Sequence, residues 1–216
     1  MSERSFTFSD LEIGNSIIIE SATILLNPSD CIILTGPNGC GKSTLLKLMA
    51  CLKIKYIEAG TWNWSIDWNR IGYVEQNVEK CIFSWLSVEK NMKFYSNNLE
   101  SSVKKLSSDF QEKKGPSGKL SGGMKQRLAL IKEMAIGNGL LLLDEPFTNQ
   151  SETWFPSIID AINLFRSKEG FVAIVSHNIR EFKDLSARIF RFEPSGEEAG
   201  IIVYKVNEKM NEEKKK

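Results

Sequence analysis

Between residues 17 and 35 the apolar positions fall into three short runs separated by polar residues. Ile17-Ile18-Ile19 and Ile24-Leu25-Leu26 are rich in β-formers, and Asn27-Pro28-Ser29-Asp30 after them has the composition of a turn. Cys31-Ile32-Ile33-Leu34-Thr35 is apolar almost throughout, as a strand buried on both faces must be. The period then changes. Leu45, Leu46, Leu48 and Met49 recur at helical spacing and predict a helix over 43–50. From Thr61 to Trp68 the pattern alternates, with Trp62, Trp64, Ile66 and Trp68 on one side, which predicts a half-exposed antiparallel strand. That aromatic face could serve binding, but packing against a neighbouring sheet is the better reading because Trp is normally mostly buried. Arg70-Ile71-Gly72-Tyr73-Val74 reads as a strand ending just before Gln76. Residues 84–110 read as helical and polar-rich, 111–118 as a linker, and 124–135 as a helix with Leu128, Ile131, Met134 and Ala135 on one face. Leu140–Leu143 and Phe171–Val175 are further buried strands. Buried strands alternating with helices predict an α/β fold with a mostly parallel core sheet and a small antiparallel β part near the N-terminus.

The 216 residues suit one domain, and a hydrophobic fraction of 42% is enough for a sizeable core. A net charge of +1 implies no strong pull toward nucleic acid or anionic lipid, so no nucleic-acid partner is expected. The Lys/Glu-rich segment 207–216 reads as a solvated, frayed tail, with lipid contact the minor alternative because Glu is mixed with Lys. Cys31, Cys40, Cys51 and Cys81 form no CxxC pair. Buried thiols are a better account than a disulfide or metal framework. No run approaches the roughly 18–20 apolar residues of a membrane span, and no secretory pattern opens the chain. The expected setting is cytosolic and reducing.

Three segments carry chemistry. Gly36-Pro37-Asn38-Gly39-Cys40-Gly41-Lys42-Ser43-Thr44 follows a buried strand and opens a helix, the context of a phosphate loop. Gly36, Gly39 and Gly41 let backbone N–H groups approach a polyphosphate, and the helix adds its positive end. Lys42 brings a charge to the β- and γ-phosphates, Ser43 brings a hydroxyl to Mg²⁺, and Cys40 is expected to point away. Leu140-Leu141-Leu142-Leu143-Asp144-Glu145-Pro146 places two carboxylates at the carboxyl end of a buried strand, where ligands sit in open α/β sheets. Asp144 is the candidate to hold Mg²⁺ through water, and Glu145 to polarise an attacking water. Between these lies Leu120-Ser121-Gly122-Gly123-Met124-Lys125-Gln126-Arg127, where Ser121 can cap a helix whose exposed N–H groups favour a phosphate.

These segments, in this order, resemble the ATP-binding subunit of ABC transporters over nearly the whole chain. The resemblance implies a P-loop NTPase spanning 1–206, with a reduced helical subdomain at about 77–120 and a charged tail at 207–216. It implies ATP and Mg²⁺ as ligands and Glu145 as the catalytic glutamate. It makes His177, the only histidine, a contact to the γ-phosphate, and Gln76 the Gln-loop residue that senses Mg²⁺ and water. Ser121, Gly122 and Gly123 would touch the γ-phosphate of ATP held by an opposing subunit. The implied partners are a head-to-tail dimer formed with ATP, from a second copy or a similar ATPase, and a separate membrane-spanning permease. Such a subunit is peripheral on the inner face of the cell membrane.

The chain departs from the family pattern in three places. Where an aromatic residue usually stacks on adenine, Leu11–Asn15 has none; Phe6 and Phe8 fall too early, which leaves Ile13 or another apolar side chain. Ser151 stands where an Asp usually follows Glu-Pro, and the interval from Gln76 to Leu120 is short. Two other readings therefore stay open: an ABC-type ATPase outside transport, such as one in cofactor assembly, and a weakly hydrolysing regulatory subunit. Residues 82–91 resemble the corresponding stretch of bacterial importers, whereas the small size resembles compact export ATPases.

Overall fold

The computed structural model describes residues 4–65, 68–93, 105–110, 115–135, 139–198 and 200–209. Five parallel strands form the centre, in the order β6 (Ile71–Val74), β7 (Leu140–Asp144), β8 (Phe171–Val175), β4 (Cys31–Thr35) and β9 (Arg188–Glu198). All five residues of β4, β7 and β8 are buried, which is why these strands are apolar on both faces. β9 turns back into β10 (Ile201–Lys209), and β10 pairs in parallel with β2 (Ile17–Ile19). β2 in turn pairs with β1 (Arg4–Ile13), which also carries β3 (Ala22–Leu26) and β5 (Ile57–Trp64), all antiparallel. The parallel core and the N-terminal antiparallel part are thus one ten-stranded sheet.

Two apolar layers hold it. α1 (Lys42–Met49) presents Leu45, Leu46, Leu48 and Met49 to one layer, which also takes Phe6 and Phe8 of β1 and Phe190 and Phe192 of β9. α3 (Gly122–Met134) and α4 (Phe155–Ser167) pack into the other, through Leu128, Leu130 and Ile131 and through Ile158, Ile162 and Phe165. Fully burying one such side chain stabilises by about 1.5–3 kcal/mol, so the layers set the strand ends rigidly.

Several boundaries differ from the pattern reading. β5 begins at Ile57 and ends at Trp64, so Trp68 lies past it, its ring edge-on to Trp64 at 5.4 Å and stacked near Phe171 at 6.3 Å. Ile66 lies outside the described residues. Packing claims Trp64 and Trp68, whereas Trp62 is 36% exposed. Within 84–110 the described residues include the short helix α2 (Val88–Lys93) and a helical Lys105; 94–104 lie outside the described residues, as do 111–114 of the linker. The charged segment does not begin as a frayed tail at Asn207: Asn207, Glu208 and Lys209 pair with Arg191, Phe190 and Ile189, and residues 210–216 are outside the described set. Arg188 explains this, since it forks onto both carboxylate oxygens of Glu208 at 2.7 Å and pins the strand end. No helix among the described residues is long and apolar enough to cross a membrane.

Candidate functional site

The carboxyl ends of β4, β7 and β8 open onto one corner. β4 runs into the glycine loop, and Gly41 occupies the N-cap of α1 at φ +96°, so the first N–H groups of that helix are not capped by a side chain. Those orphan donors and the helix dipole form an anion site. Lys42, 7% exposed, donates its ammonium to the carbonyls of Gly36 (3.0 Å) and Pro37 (2.6 Å). It is therefore folded across its own loop, with carbonyl dipoles where phosphate oxygens would compete. Pro37, Asn38 and Gly39 are exposed on the rim, while Thr44 is buried beneath. Cys40 turns into the core, as expected; its Sγ lies 3.8 Å from the Lys42 ammonium, and burial pushes its thiol pKa up.

Ser43 donates from its hydroxyl to Asp144 Oδ1 at 3.0 Å, joining residues 101 apart in sequence. Asp144 is 3% exposed, and its carboxyl pKa is raised, chiefly by desolvation, with the Ser43 hydrogen bond opposing and the Glu145 charge adding to the rise. A buried carboxylate beside a hydroxyl, with the Lys42 ammonium engaged on carbonyls, is an oxygen-donor pair that forms no ion pair among the described residues. That fits a hard dication such as Mg²⁺, which takes one or two carboxylates and completes its shell with phosphate and water. No group of three or more His, Cys, Asp or Glu suited to a metal occurs among the described residues.

Glu145 follows with φ +53°, a conformation that aims its side chain away from the strand axis, and its backbone N–H donates to Val175 O at 2.9 Å. Its Oε1 accepts from the backbone N–H of His177 (3.1 Å) and contacts the ring Nδ1 at 3.0 Å. The ring pKa is raised by this hydrogen bond and then by the Glu145 charge. Gln76, two residues beyond β6, is exposed at the neighbouring strand end. Phe6 and Phe8 are 0% and 1% exposed, so neither can stack on a base, and Ile13 is itself 7% exposed beneath Gly41.

Ser121, Gly122 and Gly123 stand at the start of α3, where the Ser121 hydroxyl accepts from Met124 N at 3.4 Å as the N-cap. Among the described contacts this segment meets Asn149 and Gln150, not the phosphate loop. Lys42, Ser43, Asp144, Glu145 and His177 thus share one corner, and Ser121–Gly123 do not belong to it.

The family model described as ABC transporter matches residues 19–148, more than half of the chain and all three motif segments. The chain belongs to the ABC transporter family. Aliphatic sulfonates import ATP-binding protein SsuB of Bacillus subtilis (strain 168) is 31% identical over 175 residues, covering 76% of this chain and 68% of that protein. The protein of the same name from Bacillus anthracis is 32% identical over 193 residues, covering 82% of this chain and 74% of that protein. Fe(3+) ions import ATP-binding protein FbpC of Fusobacterium nucleatum subsp. nucleatum is 31% identical over 196 residues, which is 82% of this chain but 52% of FbpC. As an ABC ATP-binding subunit the chain is an ATPase that powers a transporter whose membrane-spanning part is a separate chain.

Two residues of this region had no role assigned from sequence. Arg127 and Gln150 hold the start of α3 to the loop after Glu145. An arginine between the apolar positions Met124, Leu128 and Ile131 of that helix was the available signal.

Proposed function

We propose that this subunit hydrolyses ATP with Mg²⁺ at the corner formed by Lys42, Ser43, Asp144, Glu145 and His177, as one half of an ATP-sandwiched pair. The observation that carries the reading is the 3.0 Å contact of Ser43 with Asp144 beside the Glu145–His177 pair. In this reading Gly36–Thr44 wrap the triphosphate, and Lys42 exchanges its two carbonyl partners for β- and γ-phosphate oxygens. Ser43 and Asp144 would hold Mg²⁺, which would supply neutralising charge for the transferred phosphoryl group. Glu145 keeps Oε1 on His177 and presents Oε2, which has no hydrogen bond among the described residues, to the attacking water. His177, 65% exposed at its side chain, reaches the γ-phosphate from the end of β8, and Gln76, two residues beyond β6, senses Mg²⁺ and water. Pairing of hydrolytic Glu145 with His177 favours a turning-over enzyme over a regulatory subunit.

The start of α3, where Ser121 and Gly122 are exposed and Gly123 is buried behind them, then grips the γ-phosphate of a partner's ATP, so a complete site takes two chains. The pair works from the inner face of the membrane on a permease, and the import functions named for the relatives favour import. The test is steady-state ATPase with nucleotide binding for Glu145→Gln and Lys42→Ala. Glu145→Gln should bind ATP normally and turn over about 10²–10⁴-fold more slowly, and Lys42→Ala should lose binding. Unchanged turnover in Glu145→Gln would reject the assignment.

A further inference from the structure

The loop that follows Glu145 is wound tightly. Thr148 N–H donates to Glu145 O at 3.1 Å, Gln150 N–H donates to Phe147 O at 3.0 Å, and Asn149 sits at φ +62°. Few free torsions separate Glu145 from Gln150. At its end, Gln150 uses both termini of its amide on α3: Nε2 donates to Gly123 O at 2.8 Å, and Oε1 accepts from Arg127 Nη1 at 3.2 Å. Gly123 and Arg127 are four apart, so they lie on one helical face, and a single amide spans them.

The backbone lies equally close. A Cβ added at Gly123 would sit 2.6 Å from Asn149 O, so only glycine lets the loop rest on the helix there. Arg127 is a fixed anchor. It is 3% exposed, donates from Nε to Leu106 O (3.1 Å), pairs with Asp109 (2.5 Å), and places its guanidinium 3.7 Å from the centre of the Trp154 ring. Gln126, Arg127 and Gln150 also line one narrow gap with no room for a water, and Gln126 Nε2 has no partner among the described residues.

We propose that Gln150 is a positioning residue that fastens the turn following Glu145 to the first turn of α3, so that Glu145 and Ser121–Gly123 move as one body. The proposal rests on the two-chain reading above. Its consequence is that Gln150 governs how one subunit presents Ser121–Gly123 to its partner's ATP, without touching the nucleotide on its own phosphate loop. Turnover and pairing should then depend on Gln150, while ATP affinity of the single chain should not.

The test compares Gln150→Met, which keeps the bulk and loses both hydrogen bonds, with Gln150→Glu, which keeps an acceptor for Arg127 but sets a carboxylate against Gly123 O. Each is measured in the full chain for ATP binding to the monomer and for kcat and KM. Each is also placed in the Glu145→Gln background for ATP-dependent dimer mass by sedimentation. Expected is monomer ATP affinity within twofold of the parent, kcat at least fivefold lower in both variants, and dimer dissociation at least fivefold easier. Unchanged kcat and pairing would overturn the role of Gln150. A loss of monomer ATP affinity equal to the loss of kcat would also overturn it, by showing a general loosening of the fold. If the Glu145→Gln parent itself does not pair with ATP, the two-chain reading fails and takes this proposal with it. If the parent pairs and Gln150→Met pairs as tightly, only the positioning role falls.

Discussion

Gly36 and Gly39 are three residues apart in one loop, yet a methyl group should damage them in opposite ways. Both have positive φ, +147° and +79°. At Gly36 an added Cβ would lie 2.8 Å from Phe192 Cβ and 2.8 Å from Phe192 O. Phe192 is 1% exposed in β9, next to β4, so the carbonyl cannot retreat without opening the sheet. Overpacking of about 1–3 kcal/mol adds to backbone strain of similar size, giving about 2–6 kcal/mol lost for Gly36→Ala. At Gly39 nothing lies within 4 Å, and only the left-handed conformation is penalised, by about 1–2 kcal/mol. The loop can shed that strain by leaving its phosphate-ready shape, which ATP must then restore, weakening affinity about 5–30-fold. Urea unfolding followed by tryptophan fluorescence reads the first effect, and ATP titration of the folded protein reads the second. Gly36→Ala should lose mainly stability, and Gly39→Ala mainly affinity. The reverse order, or equal losses of stability, would refute the packing of the loop against β9.

Because His177 is the only histidine, its ring gives one resolvable titration by proton NMR. Its pKa should lie above the ordinary value near 6.5 and fall in Glu145→Gln; no change would dismiss the pair. The sign is that of a raised base. The stabilisation from the charged pair is full below the unfolded pKa and is lost as pH rises through the folded one, a small effect for so exposed a ring. Asp144 has its pKa raised by burial, so at neutral pH its charge opposes folding without a cation. Asp144→Asn should therefore make the nucleotide-free protein more stable by about 0.5–2 kcal/mol and abolish Mg²⁺-dependent ATPase. Loss of stability on that change, seen by thermal melting, would contradict the burial argument.

The buried strands were the most legible part of the sequence. Cys31–Thr35 and Phe171–Val175 agree residue for residue, because a parallel strand covered on both faces has to be apolar along its whole length. Helix starts fall one or two residues earlier than the apolar spacing implies: α3 begins at Gly122, where N-cap Ser121 and two glycines outweigh the first apolar residue as a signal. No assignment was drawn for α4, although Ile158, Ile159, Ile162 and Phe165 keep helical spacing. The β9–β10 hairpin was missed because its outer positions carry Arg, Glu and Lys, whose pairing across strands is not visible from local pattern. Of the site, the phosphate loop and the Asp144–Glu145 corner were legible as motifs. The contact of Gln150 with Gly123 was not, since it joins residues 27 apart through a side-chain amide.

The order of strands also fixes when the site can come into being. β4 carries the phosphate loop, and its two neighbours in the sheet are β8 and β9, from the last third of the chain. β2 likewise waits for β10. During synthesis Cys31–Thr35 must therefore remain an unpaired, largely apolar strand until Val172–Val175 have left the ribosome, and must keep its other edge open until Arg188–Arg191 follow. Such long-range closure is slow and leaves sticky edges open meanwhile. A chain cut between His177 and Arg188 would hold every phosphate-binding residue yet lack Phe192, against which Gly36 packs, and should still be unable to build the loop.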